Sequence, residues 1–339
     1  MSSKNQTSHD SVKMKDVAER AEVSLMTISR ALNTPEKVSQ ETLNKIKDAI
    51  ENLEYVPNLN AGTLSSKKSG FIAALVPFLN SSPFTDTIRA LANHLREHRY
   101  QLLLGSTNYS IHQEESLLLS LLGHRPEAIV LTGGLHSSTS KKYLKRAGIP
   151  VVEIWDLPPD PIDLVVGYSN HDSGYQITKS LIQRGYISIV YGITNSNDDR
   201  GEQRLQGYIS AVEEAGIPVL VERLGNPPVQ MEHGIRAISN ILAYKQKPDA
   251  LICVSDTMAV GAIFECQRRN INIPKDMAIA GFGDFEIASN IVPSLTTVSV
   301  SGHEIGLKTA KLLLKRLQNQ LVNNSIIKVR SILIERETT

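Results

Sequence analysis

Residues 16–33 read DVAERAEVSLMTISRALN. Their apolar positions do not follow one continuous helical stripe. Val17, Ala18 and Ala21 mark one face of a short helix, while Ile28, Ala31 and Leu32 mark one face of a second. Val23 fills the corner between them, and Ser24 stands where the second helix needs an oxygen to accept a free N–H. Two short helices meeting at an angle, with the small Ala18 at the crossing, predict a helix-turn-helix. A third helix is expected from Ser39, its cap, with Leu43, Ile46, Ile50 and Leu53 at helical spacing. Such a unit can serve packing alone, but the outward residues suit DNA. Arg30 can fork onto guanine, Leu25 and Met26 offer apolar contact to thymine methyl groups, and Ser24 and Thr27 suit phosphates.

Working outward, residues 1–11 are polar and patternless and read as a disordered arm. The head spans 12–56, and a small polar stretch, 57–69, reads as a linker or hinge. From residue 70 to 339 the texture changes. Apolar runs at 71–77, 101–107, 128–133, 150–155, 164–168, 188–193, 250–255 and 277–283 alternate with amphipathic helical segments. Continuous apolar runs fit strands buried on both faces of a parallel sheet, so this part is expected to be α/β and doubly wound. Its length favours two lobes.

The whole chain of 339 residues carries 36 Lys plus Arg against 35 Asp plus Glu, which excludes a generally basic nucleic-acid coat. The absence of a long apolar run excludes a membrane span, and the polar opening lacks the apolar core of a signal peptide. Two cysteines fit a reducing cytoplasm. No cofactor or metal is expected. GFGDFE at 281–286 follows a strand but lacks the third Gly of a dinucleotide loop, and His94 and His98 have no evident third ligand. Trp155 reads equally as core or as ligand wall. A sugar-acid-converting enzyme and a sugar-binding protein of a transporter would both use such an α/β body. The first needs a catalytic cluster or nucleotide loop, the second an export signal, and neither is found.

The segment 16–33, followed by VSQETLNKIKDAIENLEYVPN (38–58), resembles the DNA-binding head of the LacI/GalR family of bacterial repressors. The resemblance covers nearly the whole chain from Lys13, through RGY (184–186), Arg204-x-x-Gly207-Tyr208, SDTMAVGA (255–262), IAGFGDFE (279–286) and PSLTTV (293–298). In spacing and wording, VVGYSNH (165–171), AVGAIFECQR (259–268) and DMAIAGF (276–282) are most similar to the family's gluconate-operon regulators. The resemblance implies a two-lobed body like the periplasmic sugar-binding proteins, a homodimer, an inverted-repeat operator and allosteric control by a small sugar or sugar acid. It implies that Asn58, Ala61 and Leu64 lie in a hinge that folds on operator DNA, with Leu64 as a minor-groove wedge. In the cleft it implies Pro83 and Phe84 as an apolar wall and Arg204 as a clamp. Helix 304–320 is a candidate contributor to the dimer.

The departures from the family pattern are informative. Glu22 stands at the helix–helix corner, where the family usually has Gly. If the corner is left-handed, Glu there costs about 1–2 kcal/mol. Ser169, Ser255 and Gly283 replace groups that grip hydroxyls, two of them acidic, while Arg200 and Arg204 remain nearby. Losing carboxylates and keeping guanidinium groups points to an anionic effector such as gluconate or 6-phosphogluconate. The alternative for Arg200 is a surface ion pair with Asp198, Asp199 or Glu202.

Overall fold

The computed structural model describes residues 12–56, 69–78, 82–195 and 199–339. The chain divides into two compact units between Ser69 and Gly70.

The first unit holds helices α1 (Met14–Arg20), α2 (Leu25–Asn33) and α3 (Gln40–Asn52), with a 3-10 turn at Pro35–Lys37. Val17, Ala18, Ala21, Ile28, Ile46, Ala49 and Tyr55 form its core, with Val23, Ala31, Ile50 and Leu53 packed around them. Ser24 and Ser39 cap α2 and α3, accepting from the N–H groups of Thr27 and Thr42 at 3.1 and 3.3 Å. Leu32 departs from the expected stripe. It is 40% exposed, because the helix ends at Asn33 and its last turn overhangs the small core.

The second unit is built on two six-stranded sheets. The first lobe contains β1 (Phe71–Val76), β2 (Gln101–Ser106), β3 (Ala128–Thr132), β4 (Val151–Ile154), β5 (Leu164–Gly167) and, added late in the chain, β11 (Ile326–Lys328). All its strands are parallel, in the order β11-β5-β4-β3-β1-β2. The second lobe contains β6 (Ile189–Ile193), β7 (Leu220–Arg223), β8 (Ala250–Cys253), β9 (Ala278–Phe282), β10 (Thr296–Val300) and β12 (Ser331–Ile334), in the order β12-β10-β9-β8-β6-β7. Of these, β12 runs antiparallel, against β10. The eight apolar runs of the sequence are all strands. Strands β7, β10, β11 and β12 leave no such run, since three of them are short and partly exposed at sheet edges.

Helices α4 (Ser82–Glu97), α5 (Ile111–Gly123), α6 (Ser138–Ala147) and α12 (Gly302–Leu317) serve the first lobe. Helices α7 (Asn170–Gln183), α8 (Asp199–Glu214), α9 (Met231–Ile241), α10 (Asp256–Arg268) and the short α11 (Glu286–Asn290) serve the second. The chain therefore crosses between lobes three times: after β5, after β10 and between β11 and β12. Helix α12 spends its apolar residues, among them Ile305, Leu312 and Leu313, inside its own lobe against α4. Cys253 and Cys266 are buried, as a strand and a helix residue facing the core should be.

Candidate DNA-reading face and effector cavity

In the first unit Ser24 turns its hydroxyl onto its own helix, 3.1 Å from the Thr27 N–H and 2.9 Å from the Thr27 hydroxyl. Thr27 is half-buried. Leu25, Met26 and Arg30 are exposed together, Met26 at 64%. Two large apolar side chains left in water beside a guanidinium are what a partner surface, not a fold, requires. Asn58, Ala61 and Leu64 lie outside the described residues. Glu22 adopts φ +56°, so the corner is left-handed, as the family's usual Gly implied.

In the second unit the lobes enclose a cavity of about 620 Å³ at the ends of the strands. Among the described residues, seven aromatic rings line it: Phe78, Phe84, Tyr109, Trp155, Tyr168, Phe282 and Phe285. Several are locked edge-on or stacked, Phe84 on Trp155 at 5.3 Å, Phe78 on Tyr109 at 5.0 Å and Tyr168 on Phe282 at 6.3 Å between centroids. Trp155 is both core and wall. It is buried, lines the cavity, and donates its indole N–H to the Thr87 hydroxyl.

Two guanidinium groups come from the first two turns of α8. Arg204 lies over the Phe282 ring at 4.2 Å and donates to the Asn170 side-chain oxygen at 2.9 Å. Arg200 is buried, with Phe84 and Tyr109 of the other lobe 5.4 and 5.6 Å from its guanidinium carbon. Arg200 is therefore not a surface group, and Asp198, one of the three acids of the expected alternative pair, lies outside the described residues. Glu202 instead takes a two-pronged contact from Arg223, at 2.7 and 3.1 Å, and Asp199 accepts from Gln203. Glu202 and the exposed Glu286 are the acidic side chains of the lining among the described residues.

Ser255 and Gly283 line the cavity, and Phe84 does too, while Ser169 does not. The Ser169 hydroxyl caps α7 by accepting from the Asp172 N–H. Pro83 opens α4, but its side chain lies outside the described residues. Gly283 has a physical reason to stay glycine: φ is +129°, and a Cβ there would come within 2.4 Å of the Phe285 ring. Phe285 is held by a buried carboxylate. Asp256 accepts from the Phe285 N–H at 2.8 Å and the Thr297 hydroxyl at 2.6 Å, and burial raises its pKa to about 6.

Sequence reasoning missed Tyr109, Tyr168, Phe285 and the buried Asp156. Asp156 accepts from the Leu157 N–H, the Asn170 amide and the Gln203 amide, and burial lifts its pKa against these donors. None of these residues stands in a recognisable spacing with another, so no local signal could have grouped them. Among the described residues no set of three or more His, Cys, Asp or Glu side chains is arranged to hold a metal.

A helix-turn-helix unit with an exposed reading face, joined in sequence to a two-lobed body around an aromatic, cationic cavity, defines a ligand-responsive DNA-binding regulator. Comparison with known proteins gives the same class. Residues 13–58 match the bacterial regulatory proteins of the lacI family, and residues 178–339 match a periplasmic binding protein-like domain. The chain is 33% identical over 317 residues to the HTH-type transcriptional regulator GntR of Escherichia coli K12, covering 93% of this chain and 94% of that one. Among solved structures, GntR of Chromobacterium violaceum is 31% identical with a TM-score of 0.76, covering 79% of this chain and 98% of that one. A LacI-family regulator of Silicibacter pomeroyi is 28% identical with a TM-score of 0.90, covering 96% and 99%. The chain belongs to the LacI family of bacterial transcriptional regulators. It is a DNA-binding regulator with a small-molecule effector and not an enzyme. No helix among the described residues is long and apolar enough to cross a membrane.

Proposed function

We propose that the protein is a cytoplasmic homodimeric repressor of sugar-acid catabolism genes, released or engaged by gluconate or a related sugar acid, free or phosphorylated. The observation that carries the effector reading is the pair Arg200 and Arg204, set by one helix against an aromatic cavity whose Gly283 has no acidic side chain to offer. Guanidinium groups held in a partly dry site favour a carboxylate or phosphate over a neutral sugar. Phe84 gives a flat wall for the carbon chain, and Ser255 a hydroxyl. Ser169 acts in this reading through the capping of α7, which carries Asn170, and Pro83 through the start of α4.

On DNA, α2 lies in the major groove with Leu25, Met26 and Arg30 at base edges and Ser24 and Thr27 at phosphates. Asn58, Ala61 and Leu64 belong to a hinge that orders on the operator. A two-fold dimer brings two heads to an inverted repeat. Effector binding shifts the population of lobe arrangements and, through it, operator affinity.

Two experiments test this. Calorimetry with gluconate, 6-phosphogluconate and glucose is expected to rank the acids above glucose, and a preference for glucose overturns the effector reading. A gel shift on DNA upstream of the protein's own gene is expected to give a retarded band that changes with the acid. Arg30→Ala should weaken that band by about 1–3 kcal/mol per head. No retarded band at any salt concentration sinks the operator reading.

A further inference from the structure

The two lobes are joined across the cleft by a contact that does not itself line the cavity. Asp156 follows β4 in the first lobe and is almost fully buried. One of its carboxylate oxygens accepts from the Leu157 N–H at 2.8 Å and from the Asn170 amide at 3.2 Å. The other accepts from the amide of Gln203 at 3.1 Å, and Gln203 belongs to α8 of the second lobe. The same amide nitrogen also donates to Asp199 at 2.8 Å, one turn earlier on α8. Gln203 is thus aimed by its own helix before the lobes meet, which lowers the ordering cost of the contact.

Its neighbours on that helix are Arg200 and Arg204. Where Gln203 is held, the two guanidinium groups are held too: Arg200 between Phe84 and Tyr109 of the first lobe, and Arg204 on Asn170, which itself donates to Asp156. We propose that Asp156 and Gln203 form a cross-lobe clasp that sets the resting closure of the cleft and thereby the affinity for effector, without touching the effector. Gln203 is in this sense a positioning residue. Its influence on affinity rests on the cavity being the effector site proposed above, but its first readout needs no effector.

Trp155 is the only Trp of the chain, immediately precedes Asp156 and forms part of the cavity wall, so its fluorescence reports the cleft. Gln203→Glu puts a carboxylate against the Asp156 carboxylate and should open the cleft. The expected result, in the full-length protein without ligand, is a red-shifted Trp155 emission with stronger acrylamide quenching. Gln203→Leu should give a smaller change of the same sign. With gluconate as probe, Gln203→Leu should bind about tenfold more weakly, the worth of one hydrogen bond to a charged acceptor, and Gln203→Glu weaker still. A positioning role predicts the same weakening for gluconate and 6-phosphogluconate, whereas a direct contact would change their ratio. Emission and quenching unchanged in both variants overturn the clasp. If the wild-type protein ignores gluconate while Gln203→Glu still alters Trp155, the gluconate reading falls and the clasp stands.

Discussion

Single residues carry both the clearest agreement and the clearest surprise. Glu22 was legible from sequence alone as a misfit at a corner that wants glycine, and its φ of +56° makes it one. Glu22→Gly is expected to stabilise the head by about 1 kcal/mol, after the entropy glycine adds to the unfolded chain is subtracted. Slower amide exchange in α1 and α2 of the full-length protein would report it, and unchanged exchange would refute it. Gly283 was equally visible as a missing acid, but the reason was not. The Phe285 ring occupies the space beside it, and that ring comes from a loop pinned by Asp256 on another element. Leu32 failed for a local reason: helical spacing assigns a face but cannot tell how far a three-helix core extends beyond the last turn.

At the scale of elements, the placement of α8 decides the cavity. It crosses α7 so closely that a Cβ on Gly207 would lie 2.0 Å from the His171 carbonyl oxygen, and one on Gly174 2.0 Å from that of Arg204. Both obstacles are backbone, so neither can swing aside. Gly207→Ala is expected to destabilise the body by about 1–3 kcal/mol and to weaken effector binding, because Arg200 and Arg204 ride on the displaced helix. Thermal unfolding and calorimetry on the same variant check the two effects.

A second tie joins α5, β4 and the loop after β3. His136 is buried between Glu114, at 2.8 Å, and Glu153, at 3.6 Å. Burial opposes its charge, yet the hydrogen bond with Glu114 and the charges of both carboxylates prevail and push its pKa up to about 9. An unfolded imidazole titrates near 6.5, at about the ordinary value. The cluster therefore stabilises the fold fully below about pH 6.5 and loses that contribution as pH rises through about 9. The denaturation midpoint should fall across this window. Glu114→Gln should flatten the fall, and an equally steep fall in that variant would remove His136 as its cause. Sequence spacing cannot find this cluster, since its members are 22 and 17 residues from His136 on separate elements.

For the whole molecule, net charge is a poor guide to function. Residues 1–68 hold ten basic and nine acidic side chains, so the part that meets DNA is nearly neutral. In the proposed dimer, DNA affinity must then come from placement and from having two heads, with few phosphates engaged by each. Every phosphate neutralised adds ~0.9 to the magnitude of the salt slope; Lys13, exposed just before α1, is expected to engage one, so Lys13→Gln, present twice in the proposed dimer, should reduce the slope by about two. A slope that stays the same removes Lys13 from the phosphate-binding residues. The sequence by itself determined the helix-turn-helix, the alternation that makes two mainly parallel sheets, and the family, because these reside in short-range periodicity and in contiguous motifs. Only the tertiary structure decided which side chains share the cavity, that Ser169 caps a helix instead of facing it, that Arg200 is buried between two rings, and that Asp156 reaches Gln203. Those facts depend on segments far apart in the chain meeting at strand ends and across a cleft, and no local spacing encodes such a meeting.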